Sequence, residues 1–326
     1  MHKYILILNN HGLGDVVMSI PFFENIINIE DNTKNIIIFK STLEVELFKL
    51  TKIYNINKNY FILFNMKEIN KVFIYIFRIK YAYSLGINES KSIKLFKLLL
   101  IKKYYIANPF DYTISSNMKI LNNETKIHKS KLYSNLLKQS HDKDILIHNK
   151  DYFIKNNIKI INETNYIVFT AGSGELEKHK RWTISGYRKL LINIIDNTKY
   201  KVIFVGSKAE QEIVNNILVN IEEMYIRKVV QMNGKTNLLE LISILRDAKL
   251  VVGNDNGVLH IASACNTSIL GLFGSTDYKI TGPSGNKINI IDNKKECAPC
   301  YKKDGNIRGC IDNICMKDIN SDNVYS

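Results

Sequence analysis

The stretch Leu250–Gly274, LVVGNDNGVLHIASACNTSILGLFG, decides how the rest of the chain is interpreted. Its two ends, Leu250–Gly253 and Ser268–Phe273, are short and apolar, which is typical of buried strands. A polar turn, Asn254-Asp255-Asn256-Gly257, follows the first strand, and the small residues up to Ala264 predict a helix. A strand, a helix and a strand in this order predict a βαβ unit, and therefore a parallel sheet that is covered on both faces.

The polar turn of this unit has the features of an anion-binding corner. It leaves the carboxyl end of a strand and begins a helix, whose unpaired N–H groups and positive dipole end suit a diphosphate. Gly257 allows the backbone to approach a ligand closely. Asp255, Asn256 and His260 supply polar side chains to the same corner, although His260 also fits a buried core residue.

The same alternation of strands and helices fills the rest of the second half. Strands are predicted at Tyr166–Phe169, Lys201–Gly206 and Lys228–Met232, and helices after the Thr183 cap, over Ala209–Ile221 and over Leu238–Leu245. This order predicts a Rossmann-like, doubly wound sheet. The loop after the first of these strands contains Thr170, Gly172 and Ser173, and such a small polar loop suits a phosphate or a sugar hydroxyl.

The chain begins with the same arrangement of strand, glycine loop and helix. Lys3–Asn9 predicts a buried strand, Val16–Ile29 predicts a helix, and Gly12, Gly14 and Asp15 lie in the loop. The glycines alone are weak evidence, because the third glycine of the dinucleotide fingerprint is missing. Asp15 has two interpretations: a helix N-cap, or an exposed base at the carboxyl end of a central strand, where open α/β sheets bind ligands.

The remainder of the first half also alternates. Strands are predicted at Asn35–Phe39, Tyr60–Phe64 and Tyr104–Ala107, and helices at Leu43–Leu50, Met66–Tyr81, Ser92–Lys103 and Lys126–Lys138. The basic helix Ser92–Lys103 fits an ordinary solvated face better than a membrane-facing one. The segment Asn149–Asn165, rich in Asn and Lys, marks the junction, so we predict domains at residues 1–155 and 156–326.

The composition is that of a globular protein with two domains. A chain of 326 residues with 45% hydrophobic residues is long and apolar enough for two cores and excludes a disordered protein. No apolar run approaches the roughly 18 residues of a membrane span, and the N-terminus has no signal-peptide layout, so we expect a cytoplasmic protein. The net charge of +14 reflects either a general excess of lysine or a basic surface for phosphosugars or anionic lipid. Nucleic acid is the least favoured partner, since no recognisable motif for it is present.

Four cysteines occur close together near the C-terminus: Cys297, Cys300, Cys310 and Cys315. Their number fits a zinc site. Their irregular spacing fits reduced structural thiols somewhat better, and disulfides are disfavoured in the cytoplasm. The pattern leaves these alternatives open.

Four motifs occur in register along the chain. They are Gly12-Leu13-Gly14-Asp15 followed by Pro21, Lys180-Arg181-Trp182, the turn Asp255–Gly257 with His260, and Cys297-Ala298-Pro299-Cys300 ending in Cys315-Met316. Together, from Ile5 to Asp318, they resemble the heptosyltransferases of glycosyltransferase family 9, which assemble the lipopolysaccharide core. The resemblance implies an α/β GT-B fold, with two facing Rossmann-like domains and the active site in the cleft between them.

The resemblance also implies a reaction. It is an inverting, metal-independent transfer of a sugar, typically heptose from ADP-heptose, to a lipopolysaccharide or lipooligosaccharide core or a similar anionic, lipid-linked glycan. Asp15 matches the family's general base, and Lys180 matches its phosphate-binding lysine, with Arg181 beside it. Taken alone, Lys180 also fits a surface lysine, and Trp182 fits a core residue. Asn256 stands where the family usually has Ser or Thr.

Further positions carry implied binding roles. Glu210 is similar to a carboxylate that holds the ribose, and Thr236 lies where the family's backbone meets the adenine. The expected donor contacts are Thr170, Gly172, Ser173, Arg181, Glu210, Thr236, Asp255, Asn256, Gly257 and His260, and the expected acceptor contacts are Gly12, Gly14 and His128. The Asp-x-Asp pattern, Asp142 with Asp144, lies in a basic linker, so we expect no catalytic metal and no cofactor besides the donor.

Two alternatives remain at the level of sequence. One is a nucleotide-sugar epimerase or hydrolase on the same fold, which would turn over its substrate without an acceptor. The other is a basic binding protein without enzymatic activity, which explains the charge and the cysteines but gives no role to Asp15, Lys180 and Asp255. Peripheral contact with the cytoplasmic face of the inner membrane belongs to the transferase interpretation.

Overall fold

The computed structural model describes residues 3–9, 12–29, 33–39, 41–56, 60–63, 78–85, 94–96, 101, 103–108, 113–116, 120–122, 128–142, 150–156, 158–300, 310 and 312–326. They divide into two compact units, and the division falls between residues 148 and 149. Among these described residues, no helix is both long enough and apolar enough to cross a membrane.

The first unit is built on a seven-stranded sheet in the order β3-β2-β1-β4-β5-β6-β7. The strands are β1 Lys3–Asn9, β2 Thr33–Phe39, β3 Tyr60–Leu63, β4 Ile79–Ser84, β5 Tyr104–Asn108, β6 Thr113–Ser116 and β7 Ile120–Asn122. The helices of this unit with both ends among the described residues are Leu13–Ile29, Thr42–Lys49, Lys52–Ile56 and Lys129–His141. The first five strands in this order are parallel, and β6 and β7 are antiparallel. The apolar run of β1 is buried because helices cover both faces of a parallel sheet.

The second unit has a six-stranded sheet, entirely parallel, in the order β10-β9-β8-β11-β12-β13. The strands are β8 Tyr166–Thr170, β9 Lys201–Phe204, β10 Val229–Gln231, β11 Leu250–Asn254, β12 Ile269–Phe273 and β13 Ile288–Asp292. The α-helices are Ile184–Asn197, Gln211–Leu218, Glu223–Ile226, Leu238–Asp247, Gly257–Ala264, Tyr278–Thr281, Ile314–Lys317 and Ser321–Tyr325, and the 3-10 helices are Glu175–Lys180 and Lys208–Glu210. This order is the Rossmann order. The predicted α/β class with two Rossmann-like sheets is confirmed.

The local predictions are most accurate in the second unit. Thr183 caps the helix that follows, because its Oγ1 accepts a hydrogen bond from the Gly186 N–H at 2.9 Å. That helix buries Tyr187, Leu190, Leu191, Ile194 and Ile195, as its 3.6-residue spacing predicts. The predicted helix from Ala209 begins instead as a short 3-10 turn, and β13 was not predicted.

The first unit departs further from its predictions. The end of the predicted helix Met66–Tyr81 is wrong, since Ile79–Ser84 pairs with β1 as a strand. Residues 66–77 lie outside the described part of the chain, as does most of Ser92–Lys103, in which Lys94–Phe96 are helical and Ile101 and Lys103 are not. The strands β6 and β7 are too short and polar to show a strand period.

The segment around the predicted domain junction lies with the second unit. Arg246 Nε donates to Asp151 Oδ2 at 3.0 Å, and the Tyr152 N–H donates to the Ala264 carbonyl at 2.8 Å. Residues 151–154 are therefore tied to the helices of the second unit, although the prediction placed them at the end of the first domain.

In each sheet the strand order reverses at one point, and candidate site residues follow strands that flank it. The reversal lies between β1 and β4 in the first unit and between β8 and β11 in the second. Ligands of open α/β sheets bind at such points, outside the carboxyl ends of the strands. A Cβ at Gly253 would lie 2.2 Å from Thr170 Cγ2, so the glycine lets the ends of β8 and β11 come close together.

Candidate active site

A buried carboxylate, Asp255, is the centre of the corner that follows β11. Its side chain is 6% exposed, and its Oδ2 accepts a hydrogen bond from Thr276 Oγ1 at 2.8 Å. Lys180 Nζ lies 3.4 Å from Oδ2, and His260 Nε2 lies 3.8 Å from Oδ1. Burial raises the pKa of Asp255, but Lys180, His260 and Thr276 outweigh that effect, so the net pKa lies below its ordinary value. Asp255 is therefore a fixed negative charge.

Lys180 is held between two carboxylates. It ends the 3-10 segment Glu175–Lys180, its side chain is 10% exposed, and its Nζ also lies 2.7 Å from Glu177 Oε1. Asp255 is buried, whereas Glu177 is 32% exposed and belongs to the same short segment as the lysine. The pair with the buried Asp255 therefore fixes the position of the ammonium.

The backbone at this corner is held in place by Asn254, a residue that was not predicted to have a role here. Its side chain is fully buried, and its Oδ1 accepts from the Trp182 N–H at 3.0 Å and from the Tyr187 hydroxyl at 3.1 Å. Its Nδ2 donates to the Ala171 carbonyl at 2.8 Å. Asn254 thus connects the loop after β8 with the segment that carries Lys180.

Asn256 fixes the same loop from the next position. Its Oδ1 caps the helix Gly257–Ala264 by accepting from the Leu259 N–H at 3.1 Å. Its Nδ2 donates to Thr170 Oγ1 and to the Gly172 carbonyl, each at 2.9 Å. The Asn256 amide therefore holds the loop after β8, and the helix N-terminus that begins at Gly257 is kept at the edge of that loop.

Arg181 and Ser173, both predicted to contact the donor, contact each other. Arg181 Nε donates to Ser173 Oγ, and Nη2 donates to the Ser173 carbonyl, both at 3.0 Å. Ser173 Oγ donates in turn to the Glu177 carbonyl at 2.9 Å. These bonds hold the Lys180 segment against the loop after β8. Trp182 is 4% exposed and is therefore a core residue, which is one of the predictions made for it from the sequence.

Glu210 lies beside the same loop. Its Oε2 accepts from the Ser207 N–H at 2.6 Å in a capping box. A Cβ on Gly172 would lie 1.7 Å from Glu210 Oε1, so a side chain at this position would displace the Glu210 carboxylate. Thr236 is half-buried, on a loop that is tied to this region by the bond from the Gly234 N–H to the Gly206 carbonyl at 2.9 Å.

In the first unit, Asp15 lies in the first turn of the helix Leu13–Ile29. The N-cap interpretation is wrong, because Asp15 is the third helical residue and its own N–H donates to the Gly12 carbonyl at 3.0 Å. Lys129 Nζ lies 3.0 Å from Asp15 Oδ1. The buried Tyr133 stands one turn after Lys129. Burial, followed by the negative charge of Asp15, raises the pKa of its hydroxyl well above the ordinary value.

The predicted acceptor residues have different surroundings. His128 caps the helix Lys129–His141, since its Nδ1 accepts from the Ser130 N–H at 3.2 Å. Gly14 lies inside the helix Leu13–Ile29. Apart from its chain neighbours, none of the described residues has an atom within 4 Å of a Cβ built on Gly12.

Four members of these clusters were not predicted from the sequence: Lys129, Thr276, Glu177 and Asn254. Lys129 and Tyr133 are four residues apart, a spacing that predicts a shared helix face. Their proximity to Asp15, more than a hundred positions earlier, is set by packing of the helix Lys129–His141 against Leu13–Ile29.

All five cysteines lie in the described part of the chain and are free thiols. Burial, followed by the neighbouring Cys310, raises the pKa of Cys315. Within the described residues, no group of three or more His, Cys, Asp or Glu side chains is placed to hold a metal ion. The choice between zinc and structural thiols stays a prediction.

Comparisons with known proteins agree with this architecture. A curated relative, the lipooligosaccharide heptosyltransferase 2 of Haemophilus influenzae, is 33% identical over 132 residues, which are 40% of this chain and 38% of the relative. The Escherichia coli ADP-heptose LPS heptosyltransferase II has a TM-score of 0.71 at 18% identity, over 99% of this chain and 96% of that one. An E. coli heptosyltransferase with ADP has a TM-score of 0.69 at 13% identity, over 99% and 98% of the two chains. At these identities the two structures show the fold alone, and they confirm the predicted GT-B type.

The matches to the curated relatives are partial. The chain spans 38%, 45% and 38% of the length of three heptosyltransferase relatives. The model of the family described as glycosyltransferase family 9 (heptosyltransferase) matches residues 55–310, which is well over half of the chain. The chain therefore belongs to glycosyltransferase family 9, the heptosyltransferases.

Proposed function

We propose that this protein transfers a heptose from ADP-heptose to a lipopolysaccharide or lipooligosaccharide core, or to a similar lipid-linked glycan. The single observation that carries the proposal is the buried ammonium of Lys180, fixed by Asp255 beside the N-terminus of the helix Gly257–Ala264. The names of the relatives support the donor and the acceptor, since they are lipooligosaccharide and lipopolysaccharide heptosyltransferases, and one solved neighbour is titled an ADP-heptose LPS heptosyltransferase.

The donor side of the reaction needs positive charge at the leaving group. When the bond between the anomeric carbon and the diphosphate breaks, its electrons go to the diphosphate oxygen. A fixed ammonium and the N–H groups of a helix N-terminus stabilise that charge. Lys180 and the helix beginning at Gly257 supply both. Since Glu177 already contacts Lys180, the diphosphate takes the place of this half-buried carboxylate.

The acceptor side needs a base. In the proposed reaction, Asp15 takes the proton of an acceptor hydroxyl while that oxygen forms the new bond to the anomeric carbon. Attack from the face opposite the departing ADP inverts the configuration at that carbon. Because Lys180 and the helix N-terminus neutralise the leaving group, the proposal requires no catalytic metal and no cofactor besides the donor.

The proposal includes a place of action. A nucleotide-sugar donor and a lipid-linked acceptor meet at the cytoplasmic face of the inner membrane, so we propose a cytoplasmic protein with peripheral contact to that surface. The net charge of +14 supports attraction to an anionic acceptor. Membership of the heptosyltransferase family favours transfer over the epimerase, hydrolase and binding-protein alternatives.

The test is acceptor-dependent turnover. Purified protein is given ADP-heptose with and without a heptose-deficient lipooligosaccharide, and ADP release and the mass of the acceptor are measured. We expect ADP release only with acceptor, together with a gain of one heptose. Lys180→Gln should lose about 100-fold or more in rate, as loss of a donor to a developing anion does, while Lys178→Gln, exposed on the same segment, should not. Equal ADP-heptose consumption without acceptor would overturn the proposal.

A further inference from the structure

Asp15 is paired with a lysine that the resemblance to the family did not indicate. Lys129 is the first residue of the helix Lys129–His141, and its Nζ lies 3.0 Å from Asp15 Oδ1. The lysine and aspartate side chains are 9% and 19% exposed, so neither charge is fully solvated. Burying the lysine ammonium costs desolvation free energy, and the contact with the carboxylate offsets that cost.

The position of Lys129 is fixed by its helix rather than by a flexible loop. His128 caps the helix immediately before Lys129, which holds the first turn in place. Tyr133, one turn later on the same face, is fully buried near Asp15. The lysine therefore approaches Asp15 from a rigid element that packs directly against the helix Leu13–Ile29.

The geometry points to Lys129 as the positioning residue of the base: its ammonium holds Asp15 Oδ1, which orients the carboxylate toward the acceptor hydroxyl and favours its ionised form. This inference rests on the proposed function, in which Asp15 is the base. Lys129 itself touches no reacting atom in this scheme. Its role is to favour the charged form, because a positive charge within about 4–6 Å stabilises a carboxylate.

Tyr133 completes the surroundings of the carboxylate without competing for its proton. Its hydroxyl stays protonated near neutral pH, since its pKa is raised by burial and then by Asp15. Of the described titratable groups, Lys129 and Tyr133 are those shown facing Asp15 from the packed helix. Loss of the Lys129 charge should therefore move the ionisation of Asp15 toward higher pH.

The test compares Lys129→Gln with Lys129→Arg and with Lys131→Gln, an exposed lysine on the same helix. For Lys129→Gln we expect kcat to fall about tenfold or more and the acid limb of kcat/KM to move up by about one pH unit, the lower range for a nearby opposite charge. The KM for ADP-heptose and the affinity for ADP should not change. Lys129→Arg should restore the acid limb, and Lys131→Gln should match the wild type.

A readout without catalysis separates this inference from the proposed function. The titration of the Asp15 carboxyl carbon is followed by NMR in protein labelled with ¹³C-aspartate, and the signal is assigned by its loss in Asp15→Asn. The midpoint should rise by about one pH unit in Lys129→Gln and return in Lys129→Arg. An unchanged midpoint would overturn the inference even if the enzyme transfers heptose. A shifted midpoint in a protein that transfers no heptose would instead overturn the proposed function.

Discussion

Replacing Lys180 by methionine removes the cation that compensates the buried carboxylate of Asp255. The lysine Nζ and Asp255 Oδ2 are 3.4 Å apart, and the two side chains are 10% and 6% exposed. Breaking a buried ion pair by removing one partner costs roughly 3–5 kcal/mol. Because Thr276 still donates to Asp255 in this variant, we expect the lower end, about 3 kcal/mol. In a unit of this size that corresponds to a Tm lower by about 6–12 °C.

The reciprocal variant should cost less. In Asp255→Asn the ammonium of Lys180 keeps Glu177 at 2.7 Å, so we expect a loss of about 1–2 kcal/mol in the free energy of unfolding. The double variant should be less destabilised than the sum of the two single changes, by about 2 kcal/mol, because each change removes the same contact. This coupling measures the interaction itself rather than the loss of either side chain.

The assay uses the only tryptophan of the chain. Trp182 is 4% exposed in the core of the second unit, so its fluorescence during urea unfolding reports on the unit that contains the pair. Lys178→Met is the matched control, since this exposed lysine should change stability by less than about 0.5 kcal/mol. If Lys180→Met and Lys178→Met unfolded at the same urea concentration, the description of the corner as a buried ion pair would be refuted.

Three further predictions concern the second unit. Glu177→Gln should bind ADP about two- to fivefold more tightly, because the half-buried Glu177 carboxylate, in an ion pair worth up to about 1 kcal/mol, no longer competes with the diphosphate for Lys180; calorimetric titration with ADP measures this. Gly172→Ala should displace Glu210, whose Oε1 occupies the place of the new Cβ, and should weaken ADP binding as much as Glu210→Ala does. The lowered pKa of Asp255 means that its charge stabilises the fold above its unfolded pKa of about 3.9. This stabilisation is lost as the pH falls from about 5 toward the folded pKa, which is lower than the unfolded pKa. The free energy of unfolding of Asp255→Asn, measured with urea, should therefore decrease less than that of the wild type over the same fall in pH.

Each of these three predictions can be contradicted by a specific result. Glu175→Gln, exposed on the same segment as Glu177, should leave ADP affinity unchanged. An equal increase in ADP affinity in both variants would show that Glu177 does not compete with the diphosphate for Lys180. If Gly172→Ala and Glu210→Ala weakened ADP binding additively, the two residues would act independently. An identical acid profile in Asp255→Asn and the wild type would show that Asp255 does not have the lowered pKa.

The strands and helices of the second unit were largely predictable because local pattern decides them. Each strand of its βαβ units is a short apolar run, and the helix after Thr183 shows its cap and its buried face in the sequence. The prediction of a helix up to Tyr81 was wrong because apolar spacing does not distinguish a buried helix from a buried strand. The end of this segment pairs with β1 and is therefore a strand. The predictions that were correct are those that depend only on residues close together in the sequence.

The candidate site was predictable only in part for the same reason. Asp255, Asn256 and His260 follow one strand, so their proximity is local. Lys180 and Asp255 were brought together only by the resemblance to a family, and Lys129 was missed because its contact with Asp15 spans 114 positions. Asn254 was missed because a buried asparagine at a strand end shows its partners only once the sheet is formed.

The central claim is that Asp15 takes the acceptor proton in a heptose transfer. The most direct measurement is the single-turnover rate of transfer from ADP-heptose in Asp15→Asn and in the wild type, with the ADP dissociation constant of both. Since general bases contribute roughly 10²–10⁴-fold, we expect the transfer rate to fall by at least about 100-fold while ADP binding stays within about twofold. A transfer rate near that of the wild type would contradict the account.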